Sequence, residues 1–405
     1  MGFCPSGVCA VTWNANGLLG KIDDLREFIS RTKPDILLIQ ETWLAAADNS
    51  TVPNYTLYST PSRTYRRCRG TAILIKNTIR HQHLPNPTLR YIEATMVIVN
   101  LPNTPLLISF QLIGPPKQTK VNFTLDFESI YAYNSAIYIS GNLNAKHRNW
   151  NCMVNCKNGK LLVSFAGKTN AKIIAPDKLT HFHCKGASVL DLDLARNILR
   201  AVSAYSLNEL SSDHLPVKFL IDTGTPVENP KKFFPNWRKY KSHLLRQTQM
   251  PPSRTEEIDA EVERLTAEII TAFRESGSWR ELIKSEATDE INQQVRERNK
   301  CKKTWQKTRH STDKNKLNRA QSYLRKLYRD HNEKKMTNLI TGIEPGDDTL
   351  WKLVKTYMNE RIKMPPTITD SQVAYEDIEK AEAIADSLAL QFQNNDLSHP
   401  PRNSS

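Results

Sequence analysis

Polar side chains that can bind a metal ion or a phosphate stand at the ends of short apolar runs in the first half of the chain. Seven of them are candidate catalytic residues: Asn14, Glu41, Asn142, Asn144, Asp191, Asp213 and His214. Glu41 and Asp213 offer the hard carboxylate oxygens that Mg²⁺ or Mn²⁺ prefers. Asn14, Asn144 and His214 can bind a phosphate without repelling it. The set therefore predicts metal-assisted hydrolysis of a phosphodiester.

Each of these residues has a simpler explanation when it is taken alone. An asparagine can stabilise a turn, an aspartate can cap a helix, and a histidine can be satisfied in the core. The chemical prediction depends on the ordered set, because side chains at the ends of several strands can meet at one edge of a sheet.

A second group of possible ligands raises the alternative of a zinc site. It comprises His147, Cys152, Cys156, His181, His183 and Cys184. Their spacing matches no standard finger pattern, so zinc is not assigned from the sequence.

The elements that must position the candidate residues are short strands with helices between them. Nine runs rich in Ile, Val and Leu have strand length: Val8–Trp13, Asp35–Gln40, Thr71–Lys76, Ala94–Val99, Leu106–Ile113, Ala136–Ser140, Lys172–Ala175, Leu190–Ala195 and Pro216–Ile221. So many strands imply more than one sheet. Ile22, Leu25 and Ile29 recur at helical spacing, so the predicted class is a layered α/β fold.

The texture of the chain changes after Asp222. We predict a domain over residues 1–222, a linker over 223–235, an all-helical region over 236–395, and a disordered tail over 396–405. Two apolar stripes at helical spacing are expected to face a core: Ile258, Val262, Leu265 and Ile269 in the first, and Ile378, Ala381, Ala385, Leu388 and Phe392 in the second.

The charge of the chain favours a polyanionic partner. The net charge is +14, and residues 296–335 hold 15 Lys and Arg against 4 Asp and Glu. This run is either a solvated helical face or a nucleic-acid contact surface, since aromatic residues beside cations suit stacking on bases. The candidate nucleic-acid-binding residues are Arg296, Arg298, Lys302, Lys303, Trp305, Lys307 and Arg309.

The composition excludes some protein classes. No uninterrupted apolar stretch approaches the roughly 18 residues of a membrane-spanning helix. Seven scattered cysteines and the lack of a visible signal peptide indicate reduced thiols in the nucleus or cytoplasm.

Several phrases of the sequence are similar to one known family. Gln40–Trp43, Gly70–Ile73, Asn144–His147, Thr180–His183 and Ser211–Val217 resemble the endonuclease region of jockey-like non-LTR retrotransposon polyproteins. That region belongs to the endonuclease/exonuclease/phosphatase superfamily. Downstream, Lys303–Arg309, Leu350–Lys352 and Glu379–Ala383 are similar to the segment that links this endonuclease to the reverse transcriptase.

The resemblance implies a four-layer α/β/β/α sandwich of the deoxyribonuclease I type. It implies that Glu41 holds Mg²⁺ or Mn²⁺ with Asn14 beside it, that Asn144 and His214 bind the scissile phosphate, and that Asp191 and Asp213 orient the histidine and complete the metal shell. The implied substrate is one strand of chromosomal DNA, nicked to leave a 3′ hydroxyl that primes reverse transcription. RNA is a second partner considered for the basic helical region.

Two departures from the family pattern bear on activity. The family has Gly-Asp-Phe-Asn-Ala where this chain has Gly141-Asn142-Leu143-Asn144-Ala145, so an amide replaces the carboxylate expected to activate water. The family also has a tyrosine shortly before a proline in a phosphate-contacting loop, where this chain has Ile113.

The resulting hypothesis is a DNA endonuclease with impaired catalysis, followed by a linker region. No Tyr- or Phe-x-Asp-Asp polymerase motif occurs, so we expect no reverse transcriptase domain in this chain. The alternatives are a catalytically dead nucleic-acid-binding module of the same fold, and a cellular phosphoesterase acting on a small phosphate ester.

Overall fold

The strands and helices of the chain follow the order predicted for the first domain. A computed structural model describes residues 7–45, 48, 50–62, 69–85, 88–101, 104–109, 123–184, 186–198, 202–222, 229, 231–245, 258–281, 287–343, 350–351, 354–355, 367–368, 373–374 and 377–392. Up to Asp222 the elements are β1 (Gly7–Asn14), α1 (Ile22–Thr32), β2 (Ile36–Gln40), β3 (Tyr55–Thr60), β4 (Thr71–Lys76), β5 (His81–Leu84), β6 (Met96–Leu101), β7 (Thr104–Ser109), α2 (Thr124–Tyr131), β8 (Ile137–Asn142), α3 (Lys157–Thr169), β9 (Lys172–Ile174), β10 (His181–His183), β11 (Gly186–Ser188), β12 (Asp191–Arg196), β13 (Val202–Ser206) and β14 (Val217–Asp222).

Two six-stranded sheets form the centre of this domain. Their strand orders are β13-β14-β1-β2-β4-β3 and β5-β6-β7-β8-β12-β9. Along β1 the side chains alternate, as a strand requires. Val8 and Ala10 belong to the large core that includes the second sheet, whereas Val11 and Trp13 pack with residues of α1. Since α2 and α3 pack on the second sheet through Phe127 and other apolar residues, the predicted four-layer sandwich is confirmed.

Each of the nine predicted strand runs overlaps an observed strand, although residues 110–113 of one run lie outside the described residues. Several short strands were missed. They include β5, β10 and β13, whose burial is only partial. A strand with little buried apolar surface carries a weak hydrophobic pattern, so the sequence signal was low.

The region after Asp222 is mainly helical but also contains strands, which the sequence analysis did not predict. Its elements are β15 (Lys231–Pro235), α4 (Trp237–Leu245), α5 (Ile258–Glu275), β16 (Gly277–Glu281), α6 (Asp289–Thr308), α7 (Ser311–Thr341), β17 (Thr367–Ile368), β18 (Val373–Ala374) and α8 (Asp377–Gln391). β15 pairs with β16 across more than forty residues. A pairing so distant in sequence leaves no local turn signal, and β15 occupies the second part of the predicted linker.

Other predictions fall on residues that the structure does not describe. These include residues 223–228 of the linker, the tail 396–405 and Ile113. Among the described residues, no helix is both long enough and apolar enough to cross a membrane.

Helices α6 and α7 form an antiparallel pair, here called the docked hairpin, that packs against the first domain. Ile291, Val295, Leu324 and Tyr328 form the core between the two helices. Thr288 caps α6, since its hydroxyl accepts the amide hydrogen of Ile291. The side chain of Asn332 on α7 donates to Asp23 on α1 at 3.2 Å.

Candidate active site

Strand direction brings the ends of five strands to one edge of the paired sheets. β1 and β2 run parallel and end at Asn14 and Gln40. β14 runs antiparallel to β1, so the loop that precedes it, with Asp213 and His214, lies at the same edge. In the second sheet, β12 starts where β8 ends, and Asp191 lies directly opposite Asn142.

Asn14 and Glu41 contact each other at this edge. Asn14 Nδ2 donates to Glu41 Oε1 at 2.9 Å, and Asn14 Oδ1 accepts the backbone amide of Asn16 at 3.1 Å. The Asn16 side chain in turn donates to Asp213 Oδ1 at 3.4 Å. One chain of hydrogen bonds therefore joins residues 14, 41 and 213, which are nearly 200 positions apart in sequence.

A buried carboxylate orients His214. Its ring nitrogen Nδ1 lies 2.9 Å and 3.1 Å from the two carboxylate oxygens of Asp191. Ser212 holds the loop in place, because its hydroxyl donates to the Asn14 carbonyl at 2.7 Å and accepts the His214 amide. The Asp191 contact leaves the second ring nitrogen, Nε2, as the group that can meet a substrate.

The charges at this edge shift two pKa values in opposite directions. Burial would lower the pKa of His214, but the carboxylate of Asp191, with Asp213 and Glu41, raises it above its ordinary value. Burial would raise the pKa of Asp213, but the hydrogen bond with His181 and the charges of His214 and His181 bring it well below its ordinary value. The surroundings therefore favour the ionised form of Asp213 and the protonated form of His214.

Asn142 and Asn144 lie at the end of β8. Asn142 is buried, and its side-chain oxygen accepts the backbone amide of Asn144 at 3.0 Å. Because Asn142 faces Asp191 across the sheet, it sits beside the residue that orients the histidine. The structure thus brings the seven candidate residues to one edge.

The backbone at this edge adopts conformations that are unfavourable for residues with a side chain. Glu41 has a φ of 49°, Asn144 of 47° and Asn16 of 48°. Each left-handed residue costs on the order of 1 kcal/mol, and such residues concentrate at functional sites.

Three side chains at the same edge were not among the predicted catalytic residues. His181 Nε2 lies 3.5 Å from Asp213 Oδ2, and its ring is tilted by 43° to that of His214, with the two centroids 4.4 Å apart. Asn16 bonds Asp213, and Lys21 Nζ donates to the carbonyls of Ala15 and Asn16 at 2.5 Å and 2.6 Å. The turn sequence Asn-Ala-Asn-Gly after β1 could have indicated Asn16. No motif of the sequence marks Lys21, so its place at this edge is known from the structure.

The donor set at this edge fits a divalent metal ion. Glu41 is half-buried, and Asn14 donates to only one of its carboxylate oxygens. Asp213 adds a second carboxylate that stays ionised. Oxygen donors of this kind suit Mg²⁺ or Mn²⁺, with Glu41 and Asp213 as the residues that would hold it. In the described part of the chain, one group of three or more His, Asp, Glu or Cys has ligand atoms within 4.8 Å of one another, namely His181, Asp213 and His214, and Glu41 is not part of that group.

The cysteines of the zinc alternative have structural contacts instead. The thiol of Cys152 donates to the Val189 carbonyl, and the sulfur of Cys156 caps α3 by accepting the amide of Gly159. They are absent from the one possible ligand group among the described residues.

The structure contradicts the nucleic-acid role predicted for Arg298, Lys302 and Trp305, because all three are buried against the first domain. Arg298 forms a two-pronged ion pair with Asp24 at 2.7 Å and 3.1 Å. Lys302 Nζ donates to the carbonyls of Glu209 and Leu210 at 3.0 Å and 2.8 Å, in the loop that leads to Asp213. Charge counting could not reveal this, since a basic run looks the same whether its cations meet solvent or backbone carbonyls.

The other predicted nucleic-acid-binding residues keep access to solvent. Arg296, Lys303 and Lys307 are exposed. Arg309 is half-buried, with its guanidinium 4.7 Å above the ring of Phe182 and 5.2 Å above that of Trp305. This stack places the end of α6 directly beside β10, the strand that carries His181.

Two known proteins are similar in sequence to nearly the whole of this chain. The chain is 26% identical over 411 residues to "Probable RNA-directed DNA polymerase from transposon X-element" of Drosophila melanogaster, covering 95% of this chain and 44% of that protein. It is 24% identical over 403 residues to the corresponding protein "from transposon BS" of the same organism, covering 94% and 44%. The chain thus spans less than half the length of these relatives. They confirm the resemblance to jockey-like retrotransposon proteins.

Two solved structures are each similar to about half of this chain. The "Endonuclease domain of TRAS1, a telomere-specific non-LTR retrotransposon" has a TM-score of 0.46 at 14% identity, covering 54% of this chain and all of that one. The "AP endonuclease LMAP from Leishmania major" has a TM-score of 0.41 at 18% identity, covering 53% and 87%. The model of the endonuclease/exonuclease/phosphatase family matches residues 11–214, which is half of the chain. The chain belongs to the endonuclease/exonuclease/phosphatase family.

Proposed function

We propose that this chain is a divalent-metal-dependent DNA endonuclease that nicks one strand of a target duplex, with turnover depressed by Asn142. The observation that carries the proposal is the continuous set of contacts from Glu41 through Asn14 and Asn16 to Asp213, beside the Asp191–His214 pair. The nick would leave a 3′ hydroxyl able to prime reverse transcription. The family and the retrotransposon relatives support DNA as the substrate.

The residues at this edge can divide the work of phosphodiester hydrolysis. Glu41 and Asp213 would hold Mg²⁺ or Mn²⁺, which supplies electrostatic stabilisation of the charge on the phosphate. His214, oriented by Asp191 through Nδ1, turns Nε2 toward a phosphate oxygen as a hydrogen-bond donor. The carboxylate of Asp191 raises the pKa of His214, which favours the protonated ring that can donate to the phosphate.

The step for which this site lacks a suitable residue is the deprotonation of the attacking water. At position 142 a carboxylate could accept the proton of an attacking water, but the amide of Asn142 cannot. Loss of a general base typically costs a factor of about 10²–10⁴ in rate. The site is therefore expected to nick slowly.

A plasmid assay tests the assignment. We expect slow conversion of supercoiled plasmid to the nicked circle with Mg²⁺ or Mn²⁺, and none with EDTA or in Glu41→Ala. Asn142→Asp is nearly isosteric and keeps the acceptor for the Asn144 amide, so it should raise the rate, by at most about 10²–10⁴. The double variant with Glu41→Ala should be inactive. An Asn142→Asp variant no faster than the parent would show that position 142 does not activate water.

The second candidate function is a nucleic-acid-binding module without catalysis. The amide at Asn142, in a site that otherwise has its carboxylates and histidine, is the observation that favours it. Salt-sensitive DNA binding without nicking, in both the parent and Asn142→Asp, would establish the module and exclude the enzyme.

A further inference from the structure

A cleft lies next to the candidate active site, between the turn Leu19–Lys21 and helix α7 of the docked hairpin. Its volume is about 550 Å³. Lys21 and Ser211 line it on the side of the first domain, and Gln321, Arg325 and Arg329 line it from α7. These three α7 residues are four positions apart, so they share one face of the helix.

The cleft carries cations that form no close ion pair with any described carboxylate. Arg298 and Asp24 in its wall neutralise each other, and Asp23 pairs with Arg26. No carboxylate of the described residues lies within ion-pair distance of Lys21, Arg325 or Arg329. Glu333 is the only other acidic residue lining the described cleft. Three cations and one carboxylate remain, which favours a polyanion.

The cleft is continuous with the site of the proposed chemistry. Lys21 donates to the Asn16 carbonyl at 2.6 Å, and the Asn16 side chain donates to Asp213. Ser211, in the cleft wall, is two residues from Asp213. Asn16 therefore links Lys21 in the cleft to Asp213, the residue next to His214.

The charge on Lys21 reflects the same surroundings. Burial lowers the pKa of Lys21 to about 8; Asp213 opposes this shift and Arg325 adds to it. Lys21 thus lies close enough to interact electrostatically with both Asp213 at the candidate site and Arg325 on α7. A bound phosphate would relieve the repulsion between Lys21 and Arg325.

We propose that this cleft binds the sugar-phosphate backbone of the target DNA next to the nicked bond, so that α7 forms part of the substrate site. The proposal rests on the proposed function for its choice of DNA. The sequence predicted a basic contact surface anywhere within residues 296–335, whereas the proposal names the one face of α7 that carries Arg325 and Arg329. The docked hairpin would then take part in substrate binding by the endonuclease.

Matched charge deletions on two faces of α7 test the proposal. Arg325→Gln with Arg329→Gln removes two cations of the cleft. Arg319→Gln with Lys326→Gln removes two exposed cations of the same helix that do not line it. Binding of a labelled DNA duplex to the full chain is measured in EDTA across a salt series. Each lost phosphate contact lowers the log–log salt slope by about 0.9, so the cleft variant should lose about 1.8 and the control variant nothing.

A second measurement needs no substitution. Acetylation of lysines by a water-soluble reagent, followed by mass spectrometry, should show Lys21 protected by bound duplex while Lys326 stays reactive. This readout stays informative if the cleft variant loses helicity. Equal slopes for the two variants, or Lys21 unprotected in the complex, would overturn the proposal.

The outcomes separate the cleft from the proposed function. Nicking by a chain whose slope does not depend on the cleft cations would overturn the cleft alone. A changed slope without any nicking would keep the cleft and overturn the enzyme. Displacement of the duplex by a much lower concentration of single-stranded RNA would assign the cleft to RNA and overturn the choice of DNA.

Discussion

In the docked hairpin and in helix α5, the burial of side chains is the opposite of what the two sequences predict. α5 has a regular apolar stripe, yet Val262 is 55% exposed and Ile258, Leu265 and Ile269 are exposed as well. The docked hairpin contains the most basic run of the chain, yet it buries Arg298 and Lys302 almost completely. Helical spacing shows which residues share a face. It does not show which face meets the rest of the molecule.

The second predicted apolar stripe, on α8, is exposed in the same way as the stripe on α5. Ile378, Leu388 and Phe392 are exposed, so the expectation that these stripes face a core is wrong for the described structure. The difference between the docked and the exposed helices can be tested by substitutions of matched type.

The largest effect is expected where the docked hairpin buries an ion pair. Asp24→Ala leaves the Arg298 guanidinium buried without its partner, which should lower the free energy of unfolding by about 3–5 kcal/mol. The control is Asp23→Ala, which removes a partly exposed carboxylate and should cost about 0–1 kcal/mol. Urea denaturation measures both. Equal losses for the two variants would mean that the hairpin is not docked through Asp24.

Two tryptophans allow the docked hairpin to be compared with α4, the helix that precedes α5. Trp305 is buried with Phe182, Leu215 and Leu317, so Trp305→Ala should cost about 3–5 kcal/mol. Trp237 on α4 is 64% exposed, so Trp237→Ala should cost less than about 1 kcal/mol. Thermal unfolding of the two variants side by side provides the measurement. A larger loss for Trp237 would reverse the comparison.

Lys302 makes the stability of the docked hairpin depend on pH. Burial lowers the pKa of Lys302 to about 7, although Asp24 and Asp213 oppose the shift, whereas the ordinary value is 10.5. Between these values the unfolded chain binds the proton more tightly, so stability should rise with pH from 7 to about 10, by at most about 1.4 kcal/mol per unit. Lys302→Met should flatten this rise, and the exposed Lys303→Met should preserve it. Urea denaturation at four pH values measures how the free energy of unfolding depends on pH. If this dependence were the same in Lys302→Met as in the parent, Lys302 would not be its source.

The smallest effect is expected on α5. Val262→Asp places a charge on an exposed face and should change the free energy of unfolding by no more than about 0.5 kcal/mol. Leu324→Asp, in the buried core of the docked hairpin, should be strongly destabilising. A loss above about 2 kcal/mol for Val262→Asp would show that the α5 face is covered in solution.

The strands of the first domain were largely predictable because each buries its own apolar residues. β2 and β4 are buried along their whole length, and their Ile- and Leu-rich runs show it. β10 and β13 could not be found in this way, since they are short and only partly buried. The pairing of β15 with β16 depends on a contact across more than forty residues, which no local pattern records.

The candidate site shows the same division. Residue type and position at strand ends were enough to select Asn14, Glu41, Asp191, Asp213 and His214, because carboxylates, amides and imidazoles are the side-chain groups that bind metal ions and phosphates. His181 was placed in a zinc alternative, and only the pairing of its strand beside His214 shows that it faces Asp213.

The sequence by itself determined the layered fold, the chemistry of the strand ends and the amide at Asn142, since these follow from local pattern and residue type. Only the tertiary structure decided the roles of the cations. Lys302 and Lys303 are adjacent and chemically identical, but one donates to backbone carbonyls inside the molecule and the other meets solvent. Burial is a property of the neighbours that the fold supplies, so it is not present in the residue type.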